Sequence, residues 1–464
     1  TARLVYRIHL FANHDNNNEV GYIDALSGTV LLTEPSWVDY SATGTFATRY
    51  NGSRQGITHN YSGAFHLVDS TRGAIIHTWN LNGSMDIADC VELSDNDNNW
   101  TAAEHSASEN DMGLDVHWSL QQIYDHLSNR YGINSFDDSG YPINAYIHYG
   151  TADDVRDNAA YNIASNILKF GDGAIKFSPV SSIDVVAHEF GHGITDFQIG
   201  WGLSGNPYVF HEGMSDIWGA IMEYRINPGS VWTMGEQIDL SYDCIRNIQS
   251  TNDPNARTAI SDTYLGTQYN SGGTYVKGGV FSHWFYLLAS GGYGTNDVGN
   301  YYAVDGIGMD DAEDLIVEAV FNNYLDNTTT YSAVRTAFIN AATSLFGSNS
   351  PEVISTINAW HAVGVGDRYS SYQISGPSRV CYTGATYSVP NVPTGMYVVW
   401  DYSNNIESYY GGNDWAALRS IGDGDGWVDA YIPMSDGDTI FISSVSVWSG
   451  APTAYNFYTE VNGQ

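Results

Sequence analysis

The sequence predicts an α+β chain, with a β-rich N-terminal lobe, a helical C-terminal lobe and a separate all-β sandwich at the end. Three observations predict it. Short Thr-, Tyr- and Ile-rich runs broken by turn residues dominate 42–180, and apolar residues recur at helical spacing through 181–368. Over 372–464 the pattern changes abruptly to β-branched and aromatic strands between Gly, Pro and Asn turns.

The opening stretch, 1–41, reads as a few strands too short to fold alone. Leu4–Phe11 is apolar with partial alternation, the polar turn 13–18 follows, and Leu26-Ser27-Gly28 marks a second turn within 20–32. The β-rich lobe contains one predicted helix, Gly113–Tyr131, where Leu114, Val116, Leu120, Ile123 and Leu127 keep a helical spacing. The helical lobe is predicted to hold Ser181–Phe197, Tyr208–Tyr224, Gly278–Ala289, Met309–Leu325, Thr330–Phe346 and Pro351–Val363. A linker over Gly366–Ser371 precedes the sandwich.

The 464 residues suffice for several domains, and 43% hydrophobic with 14% aromatic content argues against disorder. With 17 Lys+Arg against 52 Asp+Glu, a net charge of −35 excludes the basic face that nucleic acid or an anionic membrane requires. No apolar run approaches the ~18 residues of a membrane helix, so no membrane insertion is expected. Abundant Gly, Asn, Asp, Tyr and Thr with little Lys points to a secreted, extracellular or cell-surface protein. The excess carboxylates solubilise the surface or, in places, hold hard cations such as Ca²⁺. Cys90, Cys244 and Cys381 show no CxxC pairing, and an odd count excludes a complete disulfide framework; three buried small hydrophobes are expected.

The segment that carries chemistry is His188-Glu189-Phe190-Gly191-His192. Four residues apart on one helix, His188 and His192 project from one face and can share a metal. Glu189, rotated by about one hundred degrees, stands near that metal without having to bind it, where a general base toward a metal-bound water belongs. Glu212 follows His192 by 20 residues, on a second predicted helix reading His211-Glu212-Gly213-Met214-Ser215-Asp216. A catalytic zinc takes three protein ligands and keeps one position open, and His₂Glu is one such set. One Zn²⁺ is therefore expected on His188, His192 and Glu212, with Asp216, one turn on, accepting the free N–H of a ligating imidazole.

Over about Ala42 to Val365 the chain resembles the thermolysin-like zinc metalloproteases. The His188–His192 motif precedes Glu212–Asp216 at the family's separation, and Asn158-Ala159-Ala160-Tyr161-Asn162 is similar to its substrate-binding edge strand. The resemblance implies a two-lobed zinc endopeptidase acting on peptides and proteins, its cleft floored by the Ser181–Phe197 helix. By match, Asn158 and Ala159 inherit contacts to the substrate backbone, and Arg246 a contact to the substrate carbonyl. Phe177, Val180, Val185 and Ile245 match the apolar S1′ wall, implying a preference for Leu, Phe, Ile or Val after the scissile bond. Asp184, Glu223 and Glu236 match interior calcium carboxylates, and Asp95 and Asp97 in the run 95–99 resemble a surface calcium loop. One or two structural Ca²⁺ follow, a solvated loop being an equal reading of 95–99.

The departures concern the oxyanion. The family's histidine in Gly-Gly-Val-His is replaced in Gly272-Gly273-Thr274-Tyr275, its carboxylate partner aligns with Asn270, and its auxiliary tyrosine aligns with Leu203. Tyr275 is expected to supply a phenolic O–H instead, an uncharged donor that needs no carboxylate partner. The alternative is a catalytically impaired zinc protein that binds peptides or a partner, or an assembly subunit. His211 stands where the family has Asn, within reach of the site, and His283 is expected to be structural.

Residues 21–31 resemble the end of the family's propeptide, which implies a retained remnant and a partner in the chain's own propeptide. Residues 372–464 resemble the Ig-like modules appended to secreted bacterial enzymes. Cys381 and Trp400 have immunoglobulin-like spacing, but no second cysteine follows.

Overall fold

A computed structural model describes residues 4–10, 19–35, 39–229, 231–326, 328–348, 350–369, 373–390, 392, 396–433 and 439–451. The turn expected over 13–18 and the last two linker residues, 370–371, lie outside them. The chain forms two compact units, Thr1–Ile260 with Thr274–Ser282 and Asp326–Thr328, and Ser261–Gly273 with His283–Leu325 and Thr329–Gln464.

In the first unit, β1 (Val5–Leu10), β2 (Glu19–Asp24) and β3 (Val30–Pro35) form an antiparallel sheet. Next along the chain come β4 (Tyr40–Thr48), β5 (Gly52–Tyr61), β6 (Ala64–His66), β7 (Val68–Asp69) and β8 (Ile76–Asn80). After them follow β9 (Val91–Glu92), β10 (Ser94–Asp95), β11 (Asn99–Trp100), β12 (Ile143–Ile147), β13 (Ala159–Asn162) and β14 (Ile167–Phe170). They build one sheet in the order β10-β6-β5-β4-β11 and another in the order β13-β14-β12-β8-β7, with β9 paired to β8. β13 is an edge strand, antiparallel to β14. Two single turns, α1 (Ala102–His105) and α3 (Asp153–Arg156), flank α2 (Asp111–Tyr131), whose Leu114, Val116, Leu120, Ile123 and Leu127 are all buried, as their spacing predicts.

Helices α4 (Ile183–Gln198) and α5 (Gly205–Ile226) pack on each other. Gly191, inside the histidine motif, permits that approach: a Cβ there would stand 2.7 Å from the Trp218 indole. α5 begins earlier than its apolar spacing predicts, because Pro207 is tolerated in a first helical turn.

α6 (Thr267–Ser271) belongs to the second unit, and α7 (Thr274–Ser290) begins four residues before the expected Gly278, taking Tyr275 into its first turn. In the second unit α8 (Gly308–Phe321), α9 (Tyr331–Phe346) and α10 (Pro351–Ala362) follow. Trp284 and Trp360 are stacked at 4.6 Å there, with Phe338 beside them. α8 stops short of the expected Leu325 because Asn323 adopts a left-handed φ of 61°. The C-terminal strands form a four-stranded and a three-stranded sheet around Val380, Tyr387, Leu418, Val428 and Ile432. All three cysteines are free, and only Cys244 is buried; Cys90 and Cys381 are half-buried, contrary to the expectation of three buried thiols. No described helix is long and apolar enough to cross a membrane.

Candidate active site

The i, i+4 spacing on α4 aims His188 and His192 at Glu212 on α5. Glu212 Oε2 lies 3.5 Å from His188 Nε2 and 3.8 Å from His192 Nε2, and the three groups offer ligand atoms all within 4.8 Å of one another. That oxygen is buried and has no hydrogen-bond partner, a costly arrangement that a divalent cation relieves. Two imidazoles and one carboxylate are a zinc-type donor set. Against its burial, Asp216 and Glu212 pull His188 up to about 10, and a field that favours a proton there also favours a divalent cation.

Asp216 Oδ1 stands 2.9 Å from His188 Nδ1, leaving Nε2 for the metal side. The same carboxylate receives a fork from Arg246, Nη2 at 2.7 Å and Nε at 3.0 Å. Although burial opposes it, Arg246 and His188 hold Asp216 below the usual carboxylate range. His192 Nδ1 meets His211 Nδ1 at 2.6 Å. Burial, with His188 nearby, keeps both rings deprotonated, so one Nδ1–H donates to the other's lone pair. When His192 is that donor, its Nε2 lone pair is free to face Glu212.

Glu189 is buried and pushed up to about 7 by that burial, partly offset by His188. Its Oε2 accepts the Tyr161 N–H of β13 at 2.7 Å. Because alternate residues of an antiparallel strand face opposite sides, Ala159 turns its backbone N–H and C=O the same way as Tyr161, off the sheet. Asn158, in contrast, gives its carbonyl to Gly171 at 3.0 Å. Phe177, Val180, Val185 and Ile245 gather with Ala159, Ile238 and Tyr50 in one apolar cluster. The loop that presents Phe177 is held by Asp157, whose carboxylate accepts the N–H groups of Ala174, Ile175, Lys176 and Phe177.

Tyr275 is 53% exposed, yet burial around its hydroxyl, with Glu212 and Tyr208 nearby, raises its proton affinity. Burial, with Glu212 nearby, raises Tyr208 as well. Tyr208 was not singled out from the sequence, although its place four residues before Glu212 puts it on the same face of α5. Leu203 is exposed in the loop before α5. In the second unit, Asn270 donates its side-chain amide to Leu265 O at 2.7 Å, and buried His283 stacks on Tyr286.

Among the expected calcium ligands, burial with Asp184 and Glu236 nearby raises Glu223 to about 8, and burial with Asp184 raises Glu236. The three carboxylates therefore share one strongly negative field. Asp184 itself accepts the N–H groups of Gly235 and Val185. In the surface loop, Asp95 Oδ1 accepts Asp97 N at 3.0 Å and Asn98 N at 2.6 Å, while the Asp97 carboxylate accepts Asn99 N. Asp95 comes together with Glu104 and His105, within 4.8 Å, rather than with the Asp97 carboxylate.

The chain is similar to known proteins. The chain matches the thermolysin metallopeptidase catalytic domain over residues 43–196 and the α-helical domain over 204–365. It is 31% identical over 392 residues to the thermostable neutral protease NprT of Geobacillus stearothermophilus, covering 79% of this chain and 67% of that protein. Thermolysin of Alicyclobacillus acidocaldarius subsp. acidocaldarius gives the same identity and coverage. Among solved structures, the precursor of protealysin, a metalloproteinase from Serratia proteamaculans, has a TM-score of 0.51 at 21% identity. It covers 64% of this chain and 89% of its own, a likeness of fold.

Proposed function

The chain belongs to the thermolysin metallopeptidase family of zinc endopeptidases, and from that premise we propose a secreted enzyme that uses Glu189 as general base and prefers Leu, Phe, Ile or Val after the scissile bond. The observation that carries this reading is the convergence of His188, His192 and Glu212 around a buried, unpartnered carboxylate oxygen.

His188, His192 and Glu212 would hold Zn²⁺, with Asp216 and His211 orienting the two imidazoles. When bound there, zinc supplies Lewis acidity toward a carbonyl oxygen and eases deprotonation of water. The peptide lies along β13, pairing with the outward N–H and C=O of Ala159, with Asn158 beside it. The apolar cluster of Phe177, Val180, Val185 and Ile245 receives the residue after the scissile bond. Glu189 takes the proton of the attacking water on a carboxylate oxygen and passes it to the departing amide nitrogen. Arg246 and Tyr275 donate to the carbonyl oxygen as its negative charge grows.

Asp184, Glu223 and Glu236 hold one structural Ca²⁺, whereas the Asp95 and Asp97 carboxylates, turned to local backbone N–H groups, belong to a solvated loop. The C-terminal sheets form an Ig-like module, and residues 21–31 form a propeptide-like segment. A second reading, a zinc protein that binds peptides without turnover, is favoured by the exposure of Tyr275 and by the tie of Asn270 to Leu265. A chelation series separates the two. Peptide cleavage should stop on removal of zinc, return with one equivalent, and never appear in Glu212→Gln. Cleavage by metal-free protein overturns the proposal.

A further inference from the structure

We propose that His66, His77 and Glu92, with the Tyr61 hydroxyl beside them, form a second metal site of the zinc class, one that joins two sheets of the first unit and uses no residue of α4 or α5. Four strands deliver the set. In the β5–β6 pair His66 lies opposite His59. Tyr61, two residues beyond His59, therefore shares the His66 face, and the two rings stack at 4.0 Å. In the other sheet Glu92 of β9 lies opposite Trp79 of β8, whose ring stacks on His77 at 3.6 Å. Glu92 meets both imidazoles, Oε2 at 3.1 Å from His66 Nδ1 and Oε1 at 3.4 Å from His77 Nε2. The Tyr61 hydroxyl donates to Glu92 Oε1. His59 is not part of the set, because its Nδ1 meets Ser41 Oγ at 3.0 Å.

Hydrogen bonding does not account for the cluster. His66 is 8% exposed, and both its ring nitrogens, like His77 Nε2, are buried with no hydrogen-bond partner among the described residues. Buried polar nitrogens left unpaired are costly, and three of them around one carboxylate call for a ligand. The pattern repeats that of the catalytic set, where Glu212 approaches two imidazoles at 3.5 and 3.8 Å and keeps an unpartnered oxygen. Two imidazoles and a carboxylate suit a borderline divalent ion such as Zn²⁺, whereas Ca²⁺ takes oxygen ligands. Here the imidazoles approach different oxygens of the carboxylate, so closing on one ion takes a turn of the Glu92 side chain. That side chain is 26% exposed, on a strand of two residues, and is free to make the turn. The reorganisation weakens the site, so it fills after the catalytic ligands.

The test uses the full chain with Ca²⁺ saturating, equilibrated against chelator-buffered Zn²⁺ up to micromolar free metal, with bound zinc counted at each step. His66→Phe and His77→Phe keep the stacks on Tyr61 and Trp79, and Glu92→Gln keeps an oxygen for the Tyr61 hydroxyl. Each should bind one zinc fewer than the wild type, the weaker step being lost and the tighter one unmoved. Glu212→Gln should lose the tighter step and keep the weaker, so the catalytic reading and this one stand or fall separately. X-ray absorption at the zinc edge of loaded Glu212→Gln should show two imidazoles with nitrogen at about 2.0–2.1 Å, a readout that does not depend on how the Phe variants fold. Equal zinc counts in the wild type and Glu92→Gln would overturn the proposal, as would a zinc in Glu212→Gln held by oxygen alone.

Discussion

Removing calcium should destabilise the first unit far more at pH 8 than at pH 5.5, and the three carboxylates of Asp184, Glu223 and Glu236 set the size of the effect. Glu223 is carried from an ordinary 4.5 to about 8, by burial and by Asp184 and Glu236. A carboxyl whose folded value is raised contributes stability below its unfolded value and loses it as pH climbs toward the folded one. Without the cation, the folded chain therefore holds a proton that the unfolded chain releases between pH 4.5 and about 8. At about 1.4 kcal/mol per pK unit, the loss from Glu223 is about 1 kcal/mol at pH 5.5, about 3 kcal/mol at pH 7 and up to about 5 kcal/mol above pH 8. Glu236, raised by burial and Asp184, adds in the same direction. With calcium bound, the negative charges face a cation and the pH trend disappears. Scanning calorimetry with and without EGTA, zinc being kept saturating, should show a chelation-induced fall in Tm on the order of 5–10 °C at pH 7 to 8, and a much smaller one at pH 5.5. An equal fall at both pH values, or none, would refute a cation at these carboxylates.

Other consequences are open to direct measurement. Asp216→Asn removes the partner of His188 Nδ1 and the seat of Arg246, and should weaken zinc about 10–100-fold in competition with a chromophoric chelator. Ile245→Phe fills the apolar cluster, and peptide-library profiling should show the preference after the scissile bond moving at least about tenfold from Leu and Phe toward Ala. Gly193→Ala places a Cβ 2.4 Å from the Phe136 ring and should cost about 1–3 kcal/mol in urea unfolding; an unchanged midpoint would mean that the ring yields freely.

The grouping of His188 and His192 was legible because its geometry is internal to one helix: a four-residue interval fixes which side chains share a face. The separation of Glu212 from His192 added the second helix, and the structure keeps both. The edge position of β13 was legible through the resemblance of 158–162 to a known strand. What escaped depends on packing between elements. Tyr208 and Tyr275 both enter helices because α5 extends back to Gly205 and α7 back to Thr274, and the apolar periodicity encodes neither extension. Asp95 was read with its neighbour Asp97, but backbone turns absorb that pairing, and its carboxylate faces His105 from α1. Asp216 and Arg246 were assigned separate roles, whereas the fold joins them in one fork. Cys90 and Cys381 are half-buried because small apolar character does not say which side of a surface turn a residue occupies.

The most direct measurement is cleavage of a quenched peptide library by the chain loaded with Zn²⁺ and Ca²⁺, beside Glu189→Ala, with products mapped by mass spectrometry. Cuts before Leu, Phe, Ile or Val are expected in the wild type and should vanish in Glu189→Ala while one zinc per chain remains. Undiminished cleavage by Glu189→Ala would contradict it, as would a wild-type chain that holds its zinc and cuts nothing.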